Sequence, residues 1–138
     1  MEKINSSITS IPGIGPVLGA VIISELGDIK RFDKPSKLVA FAGIDATVSQ
    51  SGEFEGTHNV MSKRGSPYLR KALFQAALAA SNTDPILKAY YQKKRAEGKH
   101  HKTCIGAVAR KMCNIIYVVL KNNKPYDDLG TEQKSLKL

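Results

Sequence analysis

A chain of 138 residues with 42% apolar and 24% charged side chains has the mass and composition of one ordinary folded domain, which excludes wholesale disorder and leaves little room for a second independent fold. Its 21 basic and 12 acidic side chains leave +9, and the excess is one-sided: residues 1–60 carry a net −2 and residues 61–138 a net +11, which points to a polyanionic partner. No uninterrupted apolar run reaches the length of a bilayer, residues 1–6 lack the apolar core of a secretory signal, and Cys104 and Cys113 cannot bridge along one helix, so a cytoplasmic protein with reduced thiols and no membrane contact is expected.

In chain order the first feature is a turn. Ile11-Pro12-Gly13-Ile14-Gly15-Pro16, entering the apolar stretch 17–26, has the form of the turn of a helix-hairpin-helix spanning about residues 8–27. Its glycines would let backbone N–H groups approach a phosphate at a helix N-terminus, or they would simply make a tight turn between packed helices. Helix starts are marked by a residue before proline at Gly15-Pro16, Ser66-Pro67 and Asp84-Pro85, and stops by Gly27, Gly43, Gly98 and Asn122-Asn123. These bounds predict helices over 16–26, 35–42, 67–81, 85–97 and 102–122. Two apolar stripes at helical spacing are predicted core: Leu69, Ala72, Leu73, Ala76, Ala77 and Ala80, then Ile105, Val108, Ala109, Met112, Ile115, Ile116 and Val119.

Between the second and third helices, about residues 44–64, the chain is rich in Thr, Ser, Gly, Val and Phe without helical period, and reads as one long extended loop or hairpin. A loop of that length in a compact domain is usually functional, so it is the place to look for chemistry. The fold class predicted is mainly α: a compact helical domain over 1–127 with a helix-hairpin-helix-like turn, one long loop and a polar tail over 128–138.

Metal chemistry finds little support in these residues. Of His58, His100, His101 and Cys104, only His101 and Cys104 share a helical face, and no second ligand pair stands at zinc spacing. The loop acids Asp45, Glu53 and Glu55 do not make the convergent set a two-metal nuclease needs, so no metal site is expected in this chain. The loop also carries Ser49, Ser51 and Ser62, just upstream of Lys63, Arg64 and a helix N-terminus. A hydroxyl nucleophile beside phosphate-binding groups is plausible chemistry there, although these features alone do not rank one serine over another.

Taken together, Ile-Pro-Gly-Ile-Gly, Phe-Ala-Gly-Ile, Gln-Ser-Gly and Met-Ser-Lys-Arg-Gly-Ser-Pro-Tyr-Leu-Arg-Lys-Ala-Leu, in that order over about residues 8–127, strongly resemble the C-terminal transposase domain of the IS110/IS116/IS902 family, which is related to the Piv invertases. The resemblance implies a mobile-element DNA recombinase in which the serine of Ser51-Gly52 attacks a phosphodiester to form a covalent phosphoserine link. In that family an N-terminal RuvC-like domain supplies four acids for divalent metal, Mg, a structured guide RNA takes part, and the protein works as a homo-oligomer whose paired domains can come from different protomers. This chain has no such acid set, and it has Ala46 where many relatives have proline. Alone, it is expected to bind DNA rather than cut it. The sites expected are Ser51 and Gly52 for chemistry, and Pro12, Gly13, Ile14, Gly15, Lys63, Arg64, Arg70, Lys71, Arg110 and Lys111 for DNA, with Arg110, Asn114, Tyr117 and Lys121 forming an outward stripe. The alternative is a non-catalytic nucleic-acid-binding module that uses only the turn and the basic helices.

Overall fold

In the computed structural model, which describes residues 7–44 and 66–126, five α-helices follow one another: α1 (Pro16–Leu26), α2 (Pro35–Ala42), α3 (Pro67–Thr83), α4 (Pro85–Ala96) and α5 (His101–Asn122), with 3-10 turns at Ile8–Ser10 and Ile29–Arg31. No strand occurs among the described residues, so the chain is mainly α as predicted, with helix ends within two residues of those read from capping and period. The expected long loop beyond Ile44 and the polar tail lie outside the described residues.

The local causes of these helices are visible at their starts. Proline opens α1 to α4, where its missing N–H is one of the unpaired donors of a first turn anyway. Ser66 Oγ accepts the Leu69 N–H at 3.0 Å and caps α3, while Asp84 Oδ2 accepts the Leu87 N–H at 3.0 Å and caps α4. At the other end of α2, Gly43 takes the left-handed conformation at φ 74° and returns its N–H to the Val39 and Ala40 carbonyls, stopping the helix.

Helices α3 and α5 form the middle of the packing. The two predicted stripes are buried, and α1 adds Ile22 and Leu26, α2 adds Leu38 and Ala42, and α4 adds Leu87 to the same core. Each such aliphatic side chain contributes roughly 1.5–3 kcal/mol on burial. The alanines of α3 leave a shallow face on which the Pro12-Gly13 turn lies. There Ile14 N–H bonds the Ile11 carbonyl at 3.1 Å and Gly13 sits at φ 89°, the geometry of a turn with proline second and glycine third. A Cβ on Gly13 would overlap the Ala76 carbonyl oxygen. Tyr126 closes the far end, its N–H donating to Ser10 Oγ at 2.7 Å and its buried hydroxyl donating to the Asp84 carboxylate at 3.3 Å.

By length and composition α5 could cross a bilayer, although Arg110, Lys111 and Asn114 interrupt its apolar run. Two thirds of its most apolar 18-residue stretch is buried inside the domain, so its apolar face is already occupied by the core.

Candidate nucleic-acid interface

Ser51, Gly52, Lys63 and Arg64 lie outside the described residues, but both ends of the segment that carries them are placed. Ser66 N–H donates to the Phe41 carbonyl at 3.0 Å, so the points where residues 45–65 leave and rejoin the fold stand side by side. Ser66 Oγ also donates to Glu25 Oε1 at 2.6 Å, tying the end of α1 to the same spot. Two guanidiniums complete this base: Arg70 donates to the Ala42 carbonyl at 3.3 Å and Arg110 to the Ile44 carbonyl at 3.2 Å. Cations at the carboxyl end of α2 are also favoured by its dipole. Tyr68 stands 70% exposed on the first turn of α3 next to this base.

Arg70 and Arg110 were expected to meet phosphates, and here each is half-buried with one N–H spent on a backbone carbonyl. Lys71 is exposed on α3 as a phosphate contact requires. Lys111 is not. It is 5% exposed, with Nζ 4.4 Å from the centroid of the Tyr90 ring, and burial, followed by the nearby Lys93 and Lys94 charges, pushes its ammonium below the usual lysine range. A lysine so placed cannot reach a phosphate from the surface, which corrects the expectation for Lys111. The Tyr90 hydroxyl is shifted upward, chiefly by burial.

The outward stripe on α5 also needs correction. Tyr117 shares its hydroxyl hydrogen between the Phe32 and Asp33 carbonyls at 3.2 and 2.9 Å, Asn114 Nδ2 donates to the Arg110 carbonyl at 3.0 Å, and Lys121 Nζ donates to Tyr117 Oη at 3.3 Å. This face holds the segment before α2. A helix can carry a second packed face that is polar, and helical spacing does not distinguish such a face from a solvated one.

In the Pro12-Gly13-Ile14-Gly15 turn, Ile14 is buried in the core and Gly13 is packed against α3, so these two serve the fold. Gly15 differs: it is exposed, a Cβ there would meet nothing, and it precedes an α1 N-terminus that no side chain caps. Free N–H groups at such an end favour anions.

The sequence offers the cations of the α4–α5 corner, Lys93, Lys94, Arg95, Lys99 and Lys102, to phosphates, but gives no role to the groove beside them. Lys93, Arg95, Lys99, His100 and Lys102 are exposed there, and Glu97 on the same corner stands 3.9 Å from Lys94. Next to this corner an open cavity of about 560 Å³ runs between α3 and α5, with half-buried Phe74 and exposed Leu78 in its wall. The signal was present, because Phe74 and Leu78 are apolar residues off the buried stripe of α3. Among the described residues no group of three His, Cys, Asp or Glu side chains is gathered to hold a metal ion.

A helical domain with a cationic second half and two arginines at the base of a serine-bearing segment has the make-up of a nucleic-acid-handling protein. Residues 5–92 match the model of the transposase IS116/IS110/IS902 family, and the chain belongs to that family. It is 31% identical over 121 residues to the uncharacterized 43.6 kDa protein of insertion element IS110 from Streptomyces coelicolor, covering 87% of this chain and 29% of that protein. It is 32% identical over 125 residues to the 42 kDa protein of insertion element IS900 from Mycobacterium paratuberculosis, covering 90% and 31%. With the pilin gene-inverting protein of Moraxella bovis it shares 30% over 123 residues, covering 88% and 38%. The chain thus spans about a third of the length of these curated relatives.

Proposed function

We propose that this chain is the serine-bearing, DNA-acting part of a transposase or site-specific recombinase, with Ser51 as the nucleophile. The observation that carries this is the family match over residues 5–92, a span that includes Ser51-Gly52, together with the likeness to a protein named as gene-inverting. The charge of +11 on residues 61–138 and the exposed lysines of α3 to α5 supply attraction to the DNA backbone.

In the chemistry proposed, Ser51 Oγ bonds to phosphorus as the bond from phosphorus to one sugar oxygen breaks. The hydroxyl proton passes to a base, and the departing sugar oxygen takes up a proton. The covalent link keeps the energy of the broken ester, so the reverse attack by a sugar hydroxyl reseals the strand. A serine hydroxyl is a weak nucleophile at neutral pH, so its activation is assigned to a RuvC-like domain of the same or another protomer, which would hold divalent metal, Mg, to neutralise developing charge. This chain's part is to present the serine from a base fixed by Ser66, Arg70 and Arg110 and to hold DNA against it. DNA, a guide RNA, and further copies of the protein are the partners in this scheme.

The test combines this chain with the acid-bearing domain and cleavable DNA, and looks for protein-linked DNA on denaturing gels. Ser51→Ala should abolish the adduct while Ser49→Ala and Ser62→Ala retain it. An adduct that persists in Ser51→Ala overturns the assignment.

A further inference from the structure

The groove between α3 and α5 has a chemistry that duplex binding does not use. Phe74, Leu78 and Ile105 give it an apolar wall. Lys71 on α3 and Lys102 on α5 stand on its two sides, both exposed. At the mouth, the imidazole of His101 is held by Tyr91: Oη and Nδ1 are 2.7 Å apart, and the rings meet edge to face at 5.7 Å between centroids and 76°. That contact occupies one ring nitrogen and fixes the plane of the imidazole.

An apolar slot with one aromatic wall, an oriented imidazole and a lysine on each side fits a flat aromatic group that carries negative charge on both flanks. An unpaired nucleotide has that form. Its base has a π-face for Phe74 and a polar edge for the Gln75 amide or His101, and the phosphates on either side suit Lys71 and Lys102. A base stacked inside a duplex offers no face to such a slot, so the preference is for single strands. Among the described residues the lining carries no carboxylate, and its His101 and Lys102 directly follow the exposed Lys99 and His100 of the basic α4–α5 corner, along which a strand could run. An apolar protein helix would also meet the wall, but two flanking lysines, with no acid in the lining among the described residues, complement a phosphate chain more directly.

We infer that the α3–α5 groove binds an unpaired nucleotide of single-stranded nucleic acid, its base against Phe74 and Leu78 and its phosphates between Lys71 and Lys102. This rests on the nucleic-acid reading above and adds to it a site separate from the Ser51 segment.

The experiment measures the affinity of the full 138-residue chain at one salt concentration for four probes: dT12, rU12, a 12-base-pair duplex, and a 12-mer of abasic sugar-phosphate. Stacking predicts that dT12 or rU12 binds at least about ten-fold tighter than the abasic strand. Whichever of the two is tighter identifies DNA or RNA as the source. Leu78→Asp should erase most of that advantage, while Ala79→Asp, the same charge change on the exposed neighbouring residue outside the groove, should retain it. Duplex affinity should fall equally in both variants. The inference is overturned if the abasic strand binds as tightly as both homopolymers, an outcome that leaves the groove to an apolar helix or another occupant, or if the two aspartate variants lose the advantage alike. Duplex binding that persists in either case leaves the broader nucleic-acid reading standing, whereas no binding of any probe removes both.

Discussion

Replacing Gly13 by alanine should destabilise the fold by about 2–4 kcal/mol, while the same change at Gly15, two residues on in the same motif, should cost less than about 0.5 kcal/mol. At Gly13 the backbone is at φ 89°, which costs an L-residue roughly 1–2 kcal/mol, and the new methyl would overlap the Ala76 carbonyl with Ala80 close behind. The overlap is with helix backbone, which cannot swing aside, and forced repacking of that kind costs about 1–3 kcal/mol. At Gly15 the backbone is extended, at φ −89° and ψ −174°, and a methyl would meet nothing. Stability is read from urea unfolding, with thermal melts as a second measure. At about 3–5 °C per kcal/mol for a chain of this size, Gly13→Ala should lower Tm by roughly 6–20 °C. The pair also separates fold from function: if the turn holds a phosphate, Gly15→Ala weakens duplex binding without a stability change. Equal stability losses for the two variants would refute the view that the first glycine is there for packing against α3.

Ser66→Ala removes the α3 cap and a hydroxyl donor to Glu25, and should cost about 1–3 kcal/mol in urea unfolding; a neutral result would mean the base of the 45–65 segment is held without it. Lys111, whose ammonium is pushed down in the fold, binds fewer protons when folded than when unfolded just below pH 10.5, so it adds a stability increment as pH rises through that window; the stability gap between the native chain and Lys111→Met should move in favour of the native chain from pH 8 to 10.5, and a flat gap would contradict the burial. Taking the difference cancels Cys113, whose fully buried thiol, pushed up to about 12, acts in the opposite sense above pH 9. Duplex affinity should fall as salt rises with a log–log slope of about −0.9 per phosphate neutralised, and Lys71→Ala should reduce that slope by about one while Lys111→Ala leaves it unchanged.

Helices and core were legible because their causes are local. Proline after a capping residue marked α1, α3 and α4, and the stripes of α3 and α5 are simple periods that burial respects. The long charged side chains were less legible, because counting cations does not say where a flexible stem ends. Lys111 turned inward onto Tyr90, and Arg70 and Arg110 turned back to carbonyls some 28 and 66 residues away in sequence, contacts that no local pattern encodes. Tyr117 shows the same thing on α5, since its partners Phe32 and Asp33 come from the start of the chain. The groove went unread because it belongs to two helices at once, and Phe74 or Leu78 alone looks like an ordinary surface apolar residue.

The proposed chemistry turns on which atom becomes joined to DNA. With the acid-bearing domain present and the adduct trapped, digestion with trypsin and nuclease leaves a nucleotide mass on the peptide of residues 38–63, which contains Ser49, Ser51 and Ser62. Fragmentation of that peptide by mass spectrometry should place the phosphodiester on Ser51. A nucleotide on Ser49, on Ser62 or on the exposed Tyr68 hydroxyl would contradict the central claim.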